Sequence, residues 1–456
     1  LHDALPIYVY KNATDAEAAV TGAYSSFYNN YGITYWLFLV NHADYENGRG
    51  SQAPISDFSQ VLDVGNVGRA ASIWSSFYIT INRANSILEN VPGIEMDENL
   101  KKQFLAEAHF LRAMSYFNLV RGFGPVPLKT KESTDVSTIG AVRAPEEAVY
   151  ELIIEDCNMA INGLPESVGE ETGRASRYAA KMLLAEVHLT LGNWAEAAKE
   201  ADDIIKSNRY TLVRVQEPGD FYDIFAVSTS TEDIMSIHHN SSKGSSLPGY
   251  LHRPSTPPYN YSSGGVYAWL PNEASFLTTW DPADLRKDFN LYTQYIGPNG
   301  EWVDLPASTP VLFAKFITDP TGLSIYSDPI FRYAEAFLIF AEADAMANGS
   351  PTTAAVERLN VIKRRAYGLD PHAPSQVDYP AGMSLEAFRE TVLMERAYEF
   401  IVEGKRWHDL KRTGTVKEAM AKVGRTVIDE RLLWPIPQEE IDNNPDLTQA
   451  DQNPGY

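Results

Sequence analysis

Cysteine is almost missing from this chain: Cys157 is the single one in 456 residues. That excludes a disulfide framework and any cysteine-rich metal site. It leaves the compartment open, because a thiol-poor chain can reside on either side of a membrane. Positive charge is scarce as well, with 38 Lys and Arg against 60 Asp and Glu, a net charge of −22. A polyanion would meet net repulsion, so nucleic acid is not an expected partner, and neither is an anionic membrane surface. Long apolar runs are absent. The longest, Ile33 to Val40, is less than half of the roughly 20 residues that a helix needs to cross a bilayer. A basic-then-apolar leader is also missing, and Leu1 to Ile7 has no evident role, so the chain reads as a mature domain or a fragment.

The motifs of several enzyme classes are absent too. There is no G-x-G-x-x-G, Walker loop, H-E-x-x-H, G-x-S-x-G or EF-hand pattern, and no cofactor is expected. His238-His239 is the one adjacent histidine pair, in a strand-like stretch whose neighbours face opposite ways, which argues against a shared metal ion. No catalytic residue and no metal ligand emerges. What is present is apolar material for a large core, 44% of the residues, and 25 Tyr and 8 Trp beside 19 Phe. Tyr and Trp join an apolar face to a polar tip, which suits either surface rings of a large domain or contact with a partly wet ligand.

Periodicity is mostly helical. Apolar residues recur at three and four over 15–29, where Thr14 and Glu17 read as a capping box, and again over 70–90, 97–121 and 145–163. On the last of these Cys157 shares a face with Val149, Ile153 and Ala160, as a core residue would. Trp74 likewise reads as core. Residues 174–191 and 193–207, turning at Gly192, have the spacing of a tetratricopeptide hairpin, with Ala201 where an aromatic is usual. A second pair spans 330–347 and 351–367, and a helical stretch over 384–412 breaks at Gly404. One hairpin cannot bury its own face, so several should stack. The expected fold is mostly α: tetratricopeptide-like stacked hairpins in a single domain over 1–456, with a scaffold at 12–207 and 330–412, a loop-rich portion at about 208–329, and an extended tail at 425–456.

Glu395, Glu399 and Glu403 fall in one helical row followed by Lys405, Arg406, His408 and Asp409. Catalysis is one reading. A partly buried ion network, with the basic residues after Gly404 folding back among the carboxylates, is the favoured one, since like charges at this spacing repel.

Several ordered motifs resemble the SusD/RagB nutrient-binding proteins of Bacteroidetes-type outer membranes. They are Ile81 to Asn85, Ala106 to Phe117 leading into Phe123 to Leu128, Arg332 to Ala336 with Ala341 to Ala343, Glu395 to Asp409, Trp434 to Pro437, and Gln452 to Tyr456. The resemblance implies a non-enzymatic cell-surface protein that captures oligo- or polysaccharide. It also implies a SusC-like TonB-dependent transporter as partner, and a lipid anchor at the extracellular face of the outer membrane, upstream of Leu1. A peptide-binding member of the family and a protein-interaction scaffold of tetratricopeptide type are the alternatives.

Candidate ligand-binding residues come from the irregular parts. The 240–272 stretch sets Tyr259, Tyr261, Tyr267 and Trp269 among Gly, Ser and Pro. A loop this long is functional or disordered, and disordered segments are poor in aromatics. Tyr267 and Trp269 share a side if the chain is extended there, as do Tyr259 and Tyr261; the competing reading is that each ring packs beneath the loop. Asp44, Tyr45 and Arg49 lie in a polar, Gly-flanked loop, where the resemblance places ligand contacts, and Asp44 and Arg49 are expected at its rim. An ordinary solvated loop is the other reading.

Overall fold

A computed structural model describes residues 10–134, 140–225, 230–239, 244–245, 247–251, 268–271, 274–316 and 327–456. The longer helices among them are α1 (Ala13–Asn30), α2 (Ile33–Asn41), α3 (Val64–Asn90), α4 (Glu98–Phe123), α5 (Glu146–Gly163), α6 (Arg177–Leu191), α7 (Trp194–Lys206), α8 (Tyr333–Asn348), α9 (Thr353–Ala366), α10 (Leu385–Glu399) and α11 (Arg406–Thr413). The periodicity predicted these with small shifts at their ends, except α2, which it did not mark as a helix, and α3, which begins six residues before the expected start. One cap differs: Asn12, not Thr14, accepts the amides of Thr14 and Asp15, so α1 starts a residue before the expected cap. By its contacts the chain divides into two compact units, one of residues 1–32, 67–187 and 432–456, the other of 33–66 and 188–431.

In the first unit α4 packs on α5 and α1. The family-like motifs meet here in a buried polar node. Arg112 donates two bonds of 2.8 Å to the Asp156 carboxylate and a third of 2.8 Å to Asn85, while His109 shares Asp156 at 2.6 Å. Satisfying every buried group in this way fixes the register of α3, α4 and α5. Cys157 and Trp74 are buried, as expected. The tail is not extended throughout. It forms short helical turns at Asp429–Leu432, Gln438–Asn443 and Gln449–Asp451, and Trp434 and Asn453 hold it onto the end of α4. The Trp434 amide bonds to the Gly122 carbonyl at 2.9 Å, and Asn453 bonds to the carbonyls of Phe123 and Trp434. A side chain at position 122 would sit 2.7 Å from the Trp434 ring, so the glycine is what lets the indole lie flat on the helix.

In the second unit α8 packs against α7, α9 and α10, the stacking expected of tetratricopeptide-like hairpins. Gly349 ends α8 with φ +69°, a left-handed cap. The loop-rich portion carries only short elements among its described residues, including β2 (Asp233–Ile237), β3 (Ala268–Trp269), β4 (Gln294–Ile296), β5 (Trp302–Asp304), a pair of two-residue strands at Leu291–Tyr292 and Leu312–Phe313, and helices of four to six residues. Strand β2 pairs antiparallel with β6 (Asp328–Arg332), which leads directly into α8. His238 and His239 follow β2 and meet separate carboxylates, Asp233 and Asp328. Among the described residues no helix is long and apolar enough to cross a membrane.

Candidate functional site

The charged run at 395–409 lies in the second unit and is a buried network. Glu399 accepts from Arg332, Arg365 and Arg286 at once, and Glu403 accepts from Arg332 Nε at 2.9 Å and Lys315 Nζ at 2.6 Å. Glu232, Asp284 and Glu395 complete it, and every member is buried. Burial works against the charge of Glu399, but its arginines outweigh burial and hold its carboxyl well below the usual range. Burial wins at Glu232 and Glu395 and raises both. The favoured ion-network reading therefore holds, with one correction. The cations for the glutamate row come from 286, 315, 332 and 365, while Arg406 turns to Asp44 and Lys405 to Glu335. No sequence signal links residues so far apart along the chain.

That pairing moves Asp44 off the expected rim. Its two oxygens take Arg406 Nε and Nη2 at 2.8 and 2.7 Å, and the pair is buried. Both oxygens of this buried carboxylate are engaged by one guanidinium, and the group does not face solvent. Tyr45 is buried too, its hydroxyl accepting the Val402 amide at 3.1 Å. Both are internal props of the loop. Arg49 is exposed, which the rim reading and the solvated-loop reading both allow. Arg425 braces the segment between them, donating to the carbonyls of Ala43 and Glu46 and, at 2.6 Å, to Asn47 Oδ1.

Strand β1 (Asn47–Gly48) then pairs antiparallel with β3, with Asn47 opposite Trp269 and Gly48 opposite Ala268. Two segments singled out from sequence, 44–49 and the end of 240–272, thus meet edge to edge. Alternation along β3 sends Ala268 and Leu270 into the main core of the unit, with Tyr45, Phe276 and Trp280. It sends Trp269 to the other side, where the ring is half-buried against a small cluster of Tyr292, Leu305, Leu312 and Ala314. Trp269 therefore meets both readings in part, packed on one side and open on the other. Tyr259, Tyr261 and Tyr267 lie outside the described residues. Trp280 is core, stacked on Tyr398 with ring centroids 4.7 Å apart.

The most exposed aromatic platform among the described residues is one that residue type alone left unassigned. Trp302 is 60% exposed on β5, which forms a hairpin with β4. Register places Ile296 opposite Trp302 and Gln294 opposite Asp304, so these four side chains share the outer face. Tyr295, on the inner face, packs on the same small cluster as Trp269. Gln294 Nε2 donates to Asp304 Oδ1 at 2.8 Å, which orients an amide and a carboxylate beside the indole. The run Gly297-Pro298-Asn299-Gly300 between two aromatic-rich stretches is the sequence signal that would have found this hairpin. An aromatic face with adjoining polar groups of fixed direction can stack on the apolar face of a sugar ring and bond its hydroxyls.

The fold and this surface describe a helical-repeat scaffold carrying a loop-built aromatic face. Comparison with known proteins agrees on the scaffold. The SusD family model matches residues 308–456, and the model described as starch-binding associating with outer membrane matches residues 11–189. SusD-like protein P2 of Formosa agariphila is 29% identical over 98% of this chain and 93% of its own length. The solved structure of a laminarin-binding SusD-like protein superposes with a TM-score of 0.80 at 26% identity, covering 98% of this chain and all of that one. A SusD homologue from Bacteroides thetaiotaomicron shares the fold with a TM-score of 0.82 at 24% identity, over 99% of this chain and 98% of its own. The chain belongs to the SusD/RagB family.

Proposed function

We propose that this protein binds carbohydrate at the outer-membrane surface without cleaving it, and passes it to a SusC-like TonB-dependent transporter. The observation that carries the reading is the exposed Trp302 face with its oriented Gln294–Asp304 pair, beside a small lobe that also holds Trp269. Trp302 is the central platform, Gln294 and Asp304 the hydroxyl partners, and Trp269, Asn47 and Arg49 a second edge. Tyr259, Tyr261 and Tyr267 are retained as ligand-binding residues on the strength of the sequence alone. The family supports the location, through its outer-membrane description, and a lipid anchor upstream of the chain belongs to the same proposal. A laminarin-binding relative supports the ligand class. The carboxylates that first suggest catalysis are buried and paired with arginines, which supports a structural role for them over proton transfer with a ligand.

Native affinity electrophoresis against laminarin, starch and acidic polysaccharides tests this. Retardation by a neutral glycan, with no reducing ends released, is the expected result. Retardation that Trp302→Ala and Trp269→Ala both leave intact would move the site elsewhere. No retardation by any glycan would end the carbohydrate reading.

A further inference from the structure

The first unit has a cleft of about 580 Å³ between α3 and the C-terminal tail, within the roughly 300–1,000 Å³ of small-molecule sites. We propose that it is a second binding site, for a neutral, hydroxyl-rich ligand of saccharide size. It shares a ligand class with the surface of the second unit and none of its residues, so either site can fail alone.

The walls are held in place from behind. Trp74 backs the cleft, set by the rings of Tyr78 and Phe123 at 4.9 and 5.0 Å. Lys129 enters from a backbone clamped at both ends, its amide donating to the Tyr116 hydroxyl at 2.6 Å and its carbonyl accepting from Asn85 at 3.0 Å. On the opposite wall Asn444 exchanges two bonds with the Ala141 backbone and donates to Glu440 Oε1 at 3.0 Å. Such preorganised walls reduce the ordering cost of binding.

The polar lining selects the ligand. Ser72, exposed on the cleft wall, donates its hydroxyl proton to the Gly68 carbonyl at 3.0 Å and so keeps its lone pairs for a ligand. Glu439 and Glu440 add acceptors, so a ligand rich in donors is favoured. Lys129 in the same cleft disfavours an ammonium or guanidinium, and the two carboxylates disfavour an anion. A neutral polyol satisfies all three, since each hydroxyl both donates and accepts. Ile79, 41% exposed, offers an apolar patch for a ring face.

Saturation-transfer NMR with glucose, galactose, mannose, maltose and laminaribiose tests the site, run on Trp302→Ala protein to silence the other surface. Transfer to at least one sugar is expected. Ser75→Trp, at an exposed position of the cleft wall, should abolish it by filling the space. Glu439→Ala should weaken it about tenfold, the loss of one charge-assisted hydrogen bond. Circular dichroism and the melting temperature confirm that each variant is folded. No transfer to any of these sugars, or transfer indifferent to both substitutions, would overturn the proposal.

Discussion

Replacing Trp302 with Ala removes the platform without touching the core. A Trp side chain carries roughly 250 Å² of surface. Since 60% is exposed here, about 150 Å² is available, and a stacked sugar covers about half of that, one ring face. At about 25 cal/mol per Å² the lost burial is worth about 2 kcal/mol, a weakening of about 25- to 30-fold. Isothermal titration with laminarin oligosaccharides, or with whichever glycan retards the parent, reads that change directly. Trp302→Phe keeps most of the apolar face and should lose less than about fivefold. Because the ring contributes little to packing, the melting temperature should stay unchanged, which separates a lost contact from a lost fold. Affinity within about twofold of the parent, below 0.5 kcal/mol, would refute the assignment of Trp302 as platform.

Other perturbations reach the interior. Glu399→Gln leaves Arg286, Arg332 and Arg365 short of a shared counter-charge; thermal melts should fall by about 10 °C, from a cost of about 3–5 kcal/mol for breaking a buried pair. Arg406→Met strands the buried Asp44 carboxylate and Asp44→Asn strands the buried Arg406 guanidinium; each should cost a similar amount in denaturant melts, and Asp44→Asn should leave glycan affinity within about threefold, as Asp44 is buried away from the proposed binding surface. Burial opposes the charge of Asp409, but Arg396 and Arg412 outweigh it and hold its carboxyl at about 2. A depressed carboxylate contributes stability that is complete above its unfolded pKa near 4 and disappears as pH falls to about 2, on the order of 2 kcal/mol. Asp409→Asn should therefore be less stable than the parent at pH 7 and converge with it near pH 2. Gly122→Ala drives a methyl to 2.7 Å from Trp434 and should cost about 1–3 kcal/mol by overpacking, read as a lower melting temperature with glycan binding at the second unit intact.

Helices were legible because each buries a stripe at regular spacing, and the stripe survives as local information: α4 and α8 follow their apolar repeats to within a few residues. The glutamate row was legible as a network because three like charges on one face demand neutralisation. The identity of the neutralising groups was not, since Arg286, Arg332 and Arg365 arrive from elements that only the tertiary fold brings together. The same limit misplaced Asp44. In a Gly-flanked polar loop it looks solvated, and its partner Arg406 is 362 residues away. Trp269 stood out as a candidate because it is aromatic in an irregular stretch, while Trp302 needed the hairpin register to show which face it occupies.

The buried charge network and the aromatic surface are parts of one arrangement within the second unit. The segment from Leu291 to Ala314 carries the β4–β5 hairpin and supplies Tyr292, Leu305, Leu312 and Ala314, the cluster on which Trp269 and Tyr295 rest. Its ends are closed by the Ala314 amide donating to the Asn290 carbonyl at 2.6 Å. Just outside that closure stand Arg286 on one side and Lys315 on the other, both inserted into the same glutamate row, Arg286 on Glu395 and Glu399 and Lys315 on Glu403. Burial lowers the Lys315 amine to about 8 against the pull of Glu403, so it keeps its proton at neutral pH. Ion pairs this deep give little net stability, because the desolvation cost offsets most of the attraction. Their directionality is worth more here: two cations committed to fixed carboxylates pin both ends of a loop-rich lobe that has little regular structure of its own. A surface built on such a lobe can vary its exposed residues without moving its base, so the row Glu395, Glu399 and Glu403 acts as a positioning device for the lobe that carries Trp302.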